Sequence, residues 1–316
     1  MVLDQKFLKT VESEYSGLRL DYWLKKNYPQ FPYFLLCKLI RKGSVRINGK
    51  RSKNISKVFH NDEIKVPEIL TKLNVQKLEH EFSQTTTEQV KSWVIFQDKN
   101  IIVLNKPSGI SVQGGSKVSR NIDLYLEILK FNYKFKPKLV HRIDKDTSGI
   151  LIVSRTLEYA KFLTSLFKDR DIIKIYIAIV HLDVKEKNKT INSSENIDGK
   201  MKVAETRYKV LDSNINASLL MVRPITGRKH QIRKHLYDIN HPIVGDSKYP
   251  YKKNKEEIES DFKKYGLNLH AIGLSFYDKD NIQKSFIAEV PKKIIENLNL
   301  LNLNLEKINK NIFNEI

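Results

Sequence analysis

Cysteine occurs once in the 316 residues, as Cys37, which excludes an internal disulfide or a Cys-rich zinc site and fits a reducing compartment. It lies among Leu35, Leu36, Leu39 and Ile40 and reads as a small buried hydrophobe rather than a reactive thiol. No apolar run approaches the roughly 18 residues of a membrane span, and no basic start followed by a long apolar stretch marks a leader. A soluble, cytoplasmic protein without membrane contact is expected. A phosphate-cradling glycine loop is also missing, and His230 and His235 lack the His-Glu-x-x-His pattern, so neither metal nor cofactor is expected. Acid is scarce: 36 Asp and Glu face 56 Lys and Arg, a formal charge of +20. Such an excess points to a polyanionic partner, because basic side chains neutralise phosphates and release their counterions. A Lys-rich composition produces the same excess, so charge alone names no partner.

What is present divides into two parts, as the length leads one to expect. Within residues 17–67, Leu20, Trp23 and Leu24 fall at helical spacing, and residues 34–41 repeat the pattern. Gly43 then ends a helix, Val45 and Ile47 alternate as a strand, and Asn48-Gly49 signals a tight hairpin. Another strand is expected over 62–66. Lys38, Arg41, Lys42, Arg46, Lys50 and Arg51 cluster about this turn. Residues 68–91 are polar, with weak periodicity, and read as a linker. From residue 92 the chain reads as a mixed α+β domain with a largely antiparallel sheet. Strands are expected at 93–96, 101–104, 149–153, 172–180, 206–211 and 218–222, and a helix at 156–169. Residues 252–264 read as a charged insertion, and 297–316 as a tail of short Leu and Asn repeats.

Gly17-Leu-Arg-Leu-Asp21, Leu39-Ile-Arg-Lys-Gly43-Ser-Val-Arg-Ile-Asn48-Gly49-Lys50 and Asn61-Asp62-Glu-Ile64 resemble an S4 domain, a family that binds structured RNA. The resemblance makes 1–67 a small RNA-binding domain and gives its basic residues an RNA-contacting role.

His141-Arg142-Ile143-Asp144-Lys145-Asp146-Thr147-Ser148-Gly149 separates the apolar Leu139-Val140 from a strand, a place where reactive groups are commonly exposed. The run resembles the catalytic motif of the RluA family of pseudouridine synthases, with Ile143 for the usual Leu. Asn105-Lys106-Pro107-x-Gly109, Lys174-x-Tyr176, Thr226-Gly227-Arg228-Lys229-His230-Gln231-Ile232-Arg233, His241-Pro242-Ile243-x-Gly245-Asp246, Leu269-His270-Ala271 and Ala288-Glu-Val-Pro291 extend the resemblance over 17–291. The variant at 113–116, together with the S4-like part, points to the branch acting on large-subunit (23S) ribosomal RNA or an assembly intermediate of that subunit.

The resemblance implies that Asp144 is the catalytic carboxylate, Arg233 its charge partner, Tyr176 the ring beside the target base and Arg142 the side chain that enters the RNA as the base leaves. Periodicity alone turns Tyr176 away from Ile173, Ile175, Ile177 and Ile179. Arg228 and Lys174 are secondary candidates for RNA contact. Isomerising uridine breaks the N1–C1′ bond and rejoins uracil through C5, without redox change or group transfer. Asp144 could attack C1′ or remove a ribose proton, and the sequence leaves both routes open. A non-catalytic RNA-binding or ribosome-assembly protein would also use the charge and the S4-like part, though not the later motifs.

Overall fold

The computed structural model describes residues 7–29, 31–71, 82–114, 120–133, 135–197, 200–251, 254–305 and 312–316. Residues 72–81 of the expected linker, 115–116 of the 113–116 variant, 252–253 of the insertion and 306–311 of the tail lie outside this set. The chain divides into two compact units, Met1–Ser83 with Gly114–Val118, and Gln84–Gln113 with Ser119–Ile316.

In the first unit, β1 (Leu8–Thr10), α1 (Leu20–Asn27), α2 (Tyr33–Lys42), β2 (Arg46–Ile47), β3 (Lys50–Arg51), β4 (Glu63–Lys65) and α3 (Glu68–Thr71) follow in order. The strands form an antiparallel sheet in the order β1-β4-β2-β3. Leu20, Trp23 and Leu24 of α1 meet Leu36 and Ile40 of α2 over Val45 and Ile64, so the periodicity of both helices is spent on one core. Gly43 closes α2 in the left-handed conformation (φ 75°), and Asn48 and Gly49 both take positive φ in the β2–β3 turn, as a type I′ turn demands. Cys37 is buried on α2. Asp21, 2% exposed, receives Arg19 through two hydrogen bonds of 3.1 and 2.6 Å and the Tyr33 hydroxyl at 2.7 Å, tying the start of α1 to the start of α2.

The second unit begins with α4 (Gln84–Ser92), inside the segment read as linker. Its Thr-rich sequence hides a helix whose Val90 is buried and whose end delivers Trp93 edge-on to Tyr125 (5.7 Å between ring centres). There follow β5 (Val94–Gln97), β6 (Ile101–Lys106), α5 (Ile122–Tyr125), β7 (Lys138–Leu139), β8 (Ser148–Ser154), α6 (Leu157–Asp169), β9 (Ile173–His181), β10 (Asn188–Ile197), β11 (Lys200–Ser213), β12 (Ala217–Pro224), α7 (Gln231–Asp238), α8 (Lys255–Tyr265), β13 (Leu269–Tyr277), β14 (Gln283–Ile287) and α9 (Lys292–Leu300). The sheet runs β10-β11-β12-β9-β13-β8-β6-β5, with β14 on β13 and β7 on β8. Among these strands every pairing is antiparallel except β13 with β8.

Helices cover both faces. Ile175, Ile177 and Ile179 of β9 join a core with Ile294 and Leu298 of α9. Ala178 and Val180, on the opposite face, join Ile232 and Leu236 of α7, with Tyr176 packed at the margin. The strand is thus apolar on both faces, and the side that Tyr176 shares is a second core rather than a solvated surface, as fits a central strand.

At the parallel seam Ser148 pairs with His270, and Gly149 with Ala271. Gly149 has φ 110°, and a Cβ there would lie 2.2 Å from the Ala271 carbonyl oxygen and 2.6 Å from its nitrogen. Only glycine permits this approach. Beside it the Ser148 hydroxyl and His270 Nδ1 share a buried hydrogen bond of 2.9 Å.

Gly149→Ala combines a disfavoured φ with a backbone collision and is expected to lower unfolding free energy by about 2–4 kcal/mol. Urea denaturation checks this as a lower midpoint at an unchanged slope, and an unchanged midpoint would mean that the seam is not tight.

Candidate active site

Residues 140–147 cross from β7 to β8 as a loop without regular structure, fixed from below by alternate residues. His141 stacks on Phe167 (4.4 Å between ring centres, 20° between planes), and its Nε2 accepts the Ile152 N–H at 2.9 Å. Burial, with the charge of Lys174 acting in the same direction, pulls its pKa down to about 3, so the ring is neutral and keeps the lone pair this bond uses. Ile143 is buried. Arg142 and Asp144, the alternate positions, are thereby left on the open side.

The loop is also clamped from the Asn105-Lys106-Pro107 segment. Lys106 is wholly buried, and its Nζ donates to the carbonyls of Pro107 (2.8 Å), Ile110 (3.0 Å) and Lys145 (3.0 Å). These acceptors match the three protons of an ammonium. Burial works against that charge and lowers the pKa to about 7, although Asp146 and Asp144 act the other way. The Gly109 N–H reaches the same Lys145 carbonyl at 3.0 Å, and the Ser108 hydroxyl donates to the Asp146 carbonyl at 2.6 Å.

Asp144 faces Arg233, whose Nη1 lies 3.5 Å from its Oδ2, and His230, whose Nε2 lies 3.7 Å from Oδ1. Arg233 projects from the first turn of α7 and is itself held by Asp246, Nε to Oδ2 and Nη2 to Oδ1, both at 2.7 Å. Asp246 has no side-chain exposure, and its Oδ1 also accepts the Lys248 and Tyr249 N–H groups at 2.8 and 2.9 Å. Burial disfavours the guanidinium charge, but the bonds and charges of Asp246 and Asp144 outweigh it and raise the pKa of Arg233. His230 caps α7 in the left-handed region (φ 54°), and its Nδ1 lies 3.3 Å from the Tyr249 hydroxyl. Burial leads in lowering its pKa, against the pull of Asp144. The Tyr249 ring packs under Arg233 at 5.4 Å.

These groups open on a cavity of about 490 Å³. Among the described residues Asp144 is its only lining carboxylate, against Arg142, Lys168, Arg170, Lys174, Arg228 and Arg233. Tyr176 forms part of the wall; burial, reinforced by the charge of Asp144, drives its hydroxyl pKa upward, so the phenol is neutral. Lys174 is lowered to about 8 by burial and by Arg170 and Arg223. Arg228 sits where Gln231 folds the Thr226–Arg228 turn: the Gln231 Oε1 accepts the Thr226 hydroxyl (2.6 Å) and the Arg228 N–H (3.0 Å). Arg142 is exposed at the mouth, with no side-chain bond among the described residues.

The structure therefore brings Asp144, Arg142, Tyr176, Arg228, Arg233 and Lys174 to one pocket. Sequence reasoning gave no role to Lys106, His230, Asp246, Tyr249, Lys168 or Arg170. Of these, Lys106, His230 and Asp246 stand inside the quoted motifs, which was the available signal, whereas Lys168 and Arg170 ended a helix read only for its apolar face. In the first unit Lys38, Arg41, Lys42, Arg46, Lys50 and Arg51 are all exposed around α2 and the β2–β3 hairpin, and none has an ion pair among the described residues. Arg46 and Arg51 bond backbone carbonyls that hold this turn. Among the described residues no group of three or more His, Cys, Asp or Glu is placed to hold a metal ion, and no helix is long and apolar enough to cross a membrane.

A family model described as RNA pseudouridylate synthase matches residues 100–238. The ribosomal large subunit pseudouridine synthase C of Buchnera aphidicola subsp. Baizongia pistaciae is 32% identical over 300 residues, covering 89% of this chain and 93% of that protein. The protein of the same name from Haemophilus ducreyi is 33% identical over 296 residues, covering 88% and 90% respectively. Among solved structures, human RNA pseudouridylate synthase domain containing 4 superimposes with a TM-score of 0.59 at 28% identity, over 70% of this chain and 97% of that one.

Lys106→Met removes the clamp and leaves carbonyls unmatched, at a cost of about 1–3 kcal/mol. The folded pKa of Lys106 lies below its unfolded value, so between about pH 7 and 10.5 the unfolded chain holds the extra proton and this residue makes stability rise with pH. Unfolding measured from pH 6 to 10 should show that rise flattened in the variant, and an identical pH profile would count against the depressed pKa of Lys106.

Proposed function

Since this chain belongs to the RNA pseudouridylate synthase family, an isomerase family acting on RNA, we propose that it converts specific uridines of large-subunit (23S) ribosomal RNA to pseudouridine, with Asp144 as the reacting carboxylate. One observation carries the assignment of Asp144: among the described residues it is the single carboxylate lining a cavity whose other charged walls are cationic. The names and coverage of the relatives support the substrate class. Because the reaction neither changes oxidation state nor transfers a group to a second molecule, the proposed mechanism uses no cofactor. The proposed place of action is the cytoplasm, where large-subunit RNA is assembled.

The target nucleotide must leave its stack, at a cost of a few kcal/mol. In the proposed sequence Arg142, exposed and unbonded at the cavity mouth, fills the vacated place, and the flipped uracil lies against the Tyr176 ring. Arg233 supplies the countercharge to Asp144. Either Asp144 attacks C1′ as the N1–C1′ bond breaks, or it takes a ribose proton to leave a glycal; in both routes uracil turns within the cavity and rejoins through C5, whose proton is then lost. Lys174 and Arg228 face the RNA backbone.

The first unit, over residues 1–67, is proposed to act as an S4-like RNA-binding domain, joined through residues 68–91 to the catalytic domain over 92–316. Its basic residues Lys38, Arg41, Lys42, Arg46, Lys50 and Arg51 support that role, since all are exposed and none has an ion pair among the described residues.

Asp144→Asn keeps size and shape while removing the reactive charge, so turnover should vanish while RNA affinity stays within a few-fold. Tritium release from C5-labelled RNA is the assay; appreciable turnover would shift the role to another group, Asp146 first. Removal of residues 1–67 should weaken binding and flatten the dependence of log affinity on log salt by about 0.9 for each lost duplex-phosphate contact, while saturating RNA restores turnover. Unchanged affinity and slope would deny the first unit a binding role.

A further inference from the structure

The loop that leads into β7 exposes aromatic rings that the isomerisation does not use. Phe131, Tyr133 and Phe135 are 37%, 41% and 69% exposed, at alternate positions in a lysine-rich segment. Exposed rings gathered in one place mark a contact surface. Two of them are fixed from beneath. Arg155 leaves the end of β8 only 8% exposed, and its guanidinium lies 4.2 Å from the ring centre of Tyr133 and 5.4 Å from that of Phe131. Its Nη2 donates to Gln97, while Nε and Nη1 are buried with no hydrogen-bond partner. Phe131 holds φ 49° and ψ −129°, a conformation that a bulky residue rarely adopts. Unmet buried donors and a strained aromatic at one spot oppose folding, which fits a surface kept for a ligand.

The charge around the rings identifies that ligand. Residues 120–138 hold five basic side chains against two acidic ones. Lys99, on the turn whose Asn100 carbonyl accepts the Arg155 N–H at 2.8 Å, adds another. Lys99, Lys130 and Lys138 have no ion pair among the described residues. Rings interleaved with cations suit unstacked RNA, whose bases stack on aromatic faces while its phosphates meet lysine. A protein-binding core would be depleted of such charge. The position is remote from the reaction: β7 pairs Lys138 with Ser154, at the last residue of β8, whereas Asp144 precedes its first, Ser148. Seven strand residues separate the two places by roughly 20 Å.

Resting on the RNA-modifying reading above, we propose that Tyr133, set on Arg155, and the more exposed Phe135 two residues on form a second RNA platform that stacks unpaired bases of the substrate RNA remote from the target uridine. The test compares the full-length chain with Tyr133→Ala/Phe135→Ala and with Phe135→Trp on a large-subunit RNA transcript and on a short hairpin cut around its modified uridine. The double variant should bind the transcript roughly five- to a hundred-fold more weakly, with an unchanged salt slope because stacking is not an ionic contact. Its kcat at saturating transcript and its handling of the hairpin should equal those of the parent, its melting temperature should stay within a few degrees, and Phe135→Trp should bind as well or better. Unchanged transcript affinity overturns the proposal, as does an equal loss on the hairpin, which would put the rings at the target. Failure of the parent chain to modify either RNA, with the double variant still weakened in binding, would instead count against the catalytic reading.

Discussion

A carboxylate can be held ready at the open end of a sheet only if the loop that carries it cannot collapse, and here that constraint falls on one buried ammonium. Lys106 joins the turn after β6 to the loop before β8 through carbonyls that no other side chain bonds among the described residues. A neutral residue of the same length would fill the space but would leave the Pro107 and Ile110 carbonyls without this donor. Beneath the other side of the loop, His141 contributes as a neutral ring between Phe167 and the Ile152 amide. The loop is irregular in conformation and still determined, because its backbone groups meet partners supplied from outside it.

Arg233 extends the same logic to charge. Asp246, sealed from water, takes two of its donors in a bidentate fork and leaves Nη1 facing Asp144 at 3.5 Å. Arginine rather than lysine suits the position, since a planar fork can satisfy a structural carboxylate and present a remaining edge to a second one. The longer contact to Asp144 leaves that carboxylate less committed than Asp246, which fits the reacting role proposed for it.

Much of the architecture was legible where a pattern had one cause. The helices α1, α2 and α6 have apolar faces at helical spacing, and Asn48-Gly49 turns the hairpin it signals. Other elements escaped for physical reasons. Strand β13 is buried along eight of nine residues and so lacks alternation, while β10 is almost wholly polar and draws its regularity from pairing with β11. Helix α4 carries Thr85-Thr86-Thr87, poor helix formers in isolation, and is held by Val90 and by the packing of Trp93. In the site, the motifs located the residues that converge on the cavity, but not the interior bonds of Lys106, Asp246 and His230, because a sequence motif does not say which of its polar members face inward.

The parallel seam has a consequence for how the protein is made. Gly149 meets Ala271, so β8, which already pairs with β6 and β7, gains its parallel neighbour β13 only after more than a hundred further residues have been synthesised. Such a pairing raises contact order and delays closure of the sheet. The first unit, whose strands pair within its own span, can condense on the ribosome well before then. Nascent chains therefore gain the fold that carries the basic hairpin first and the pocket around Asp144 last.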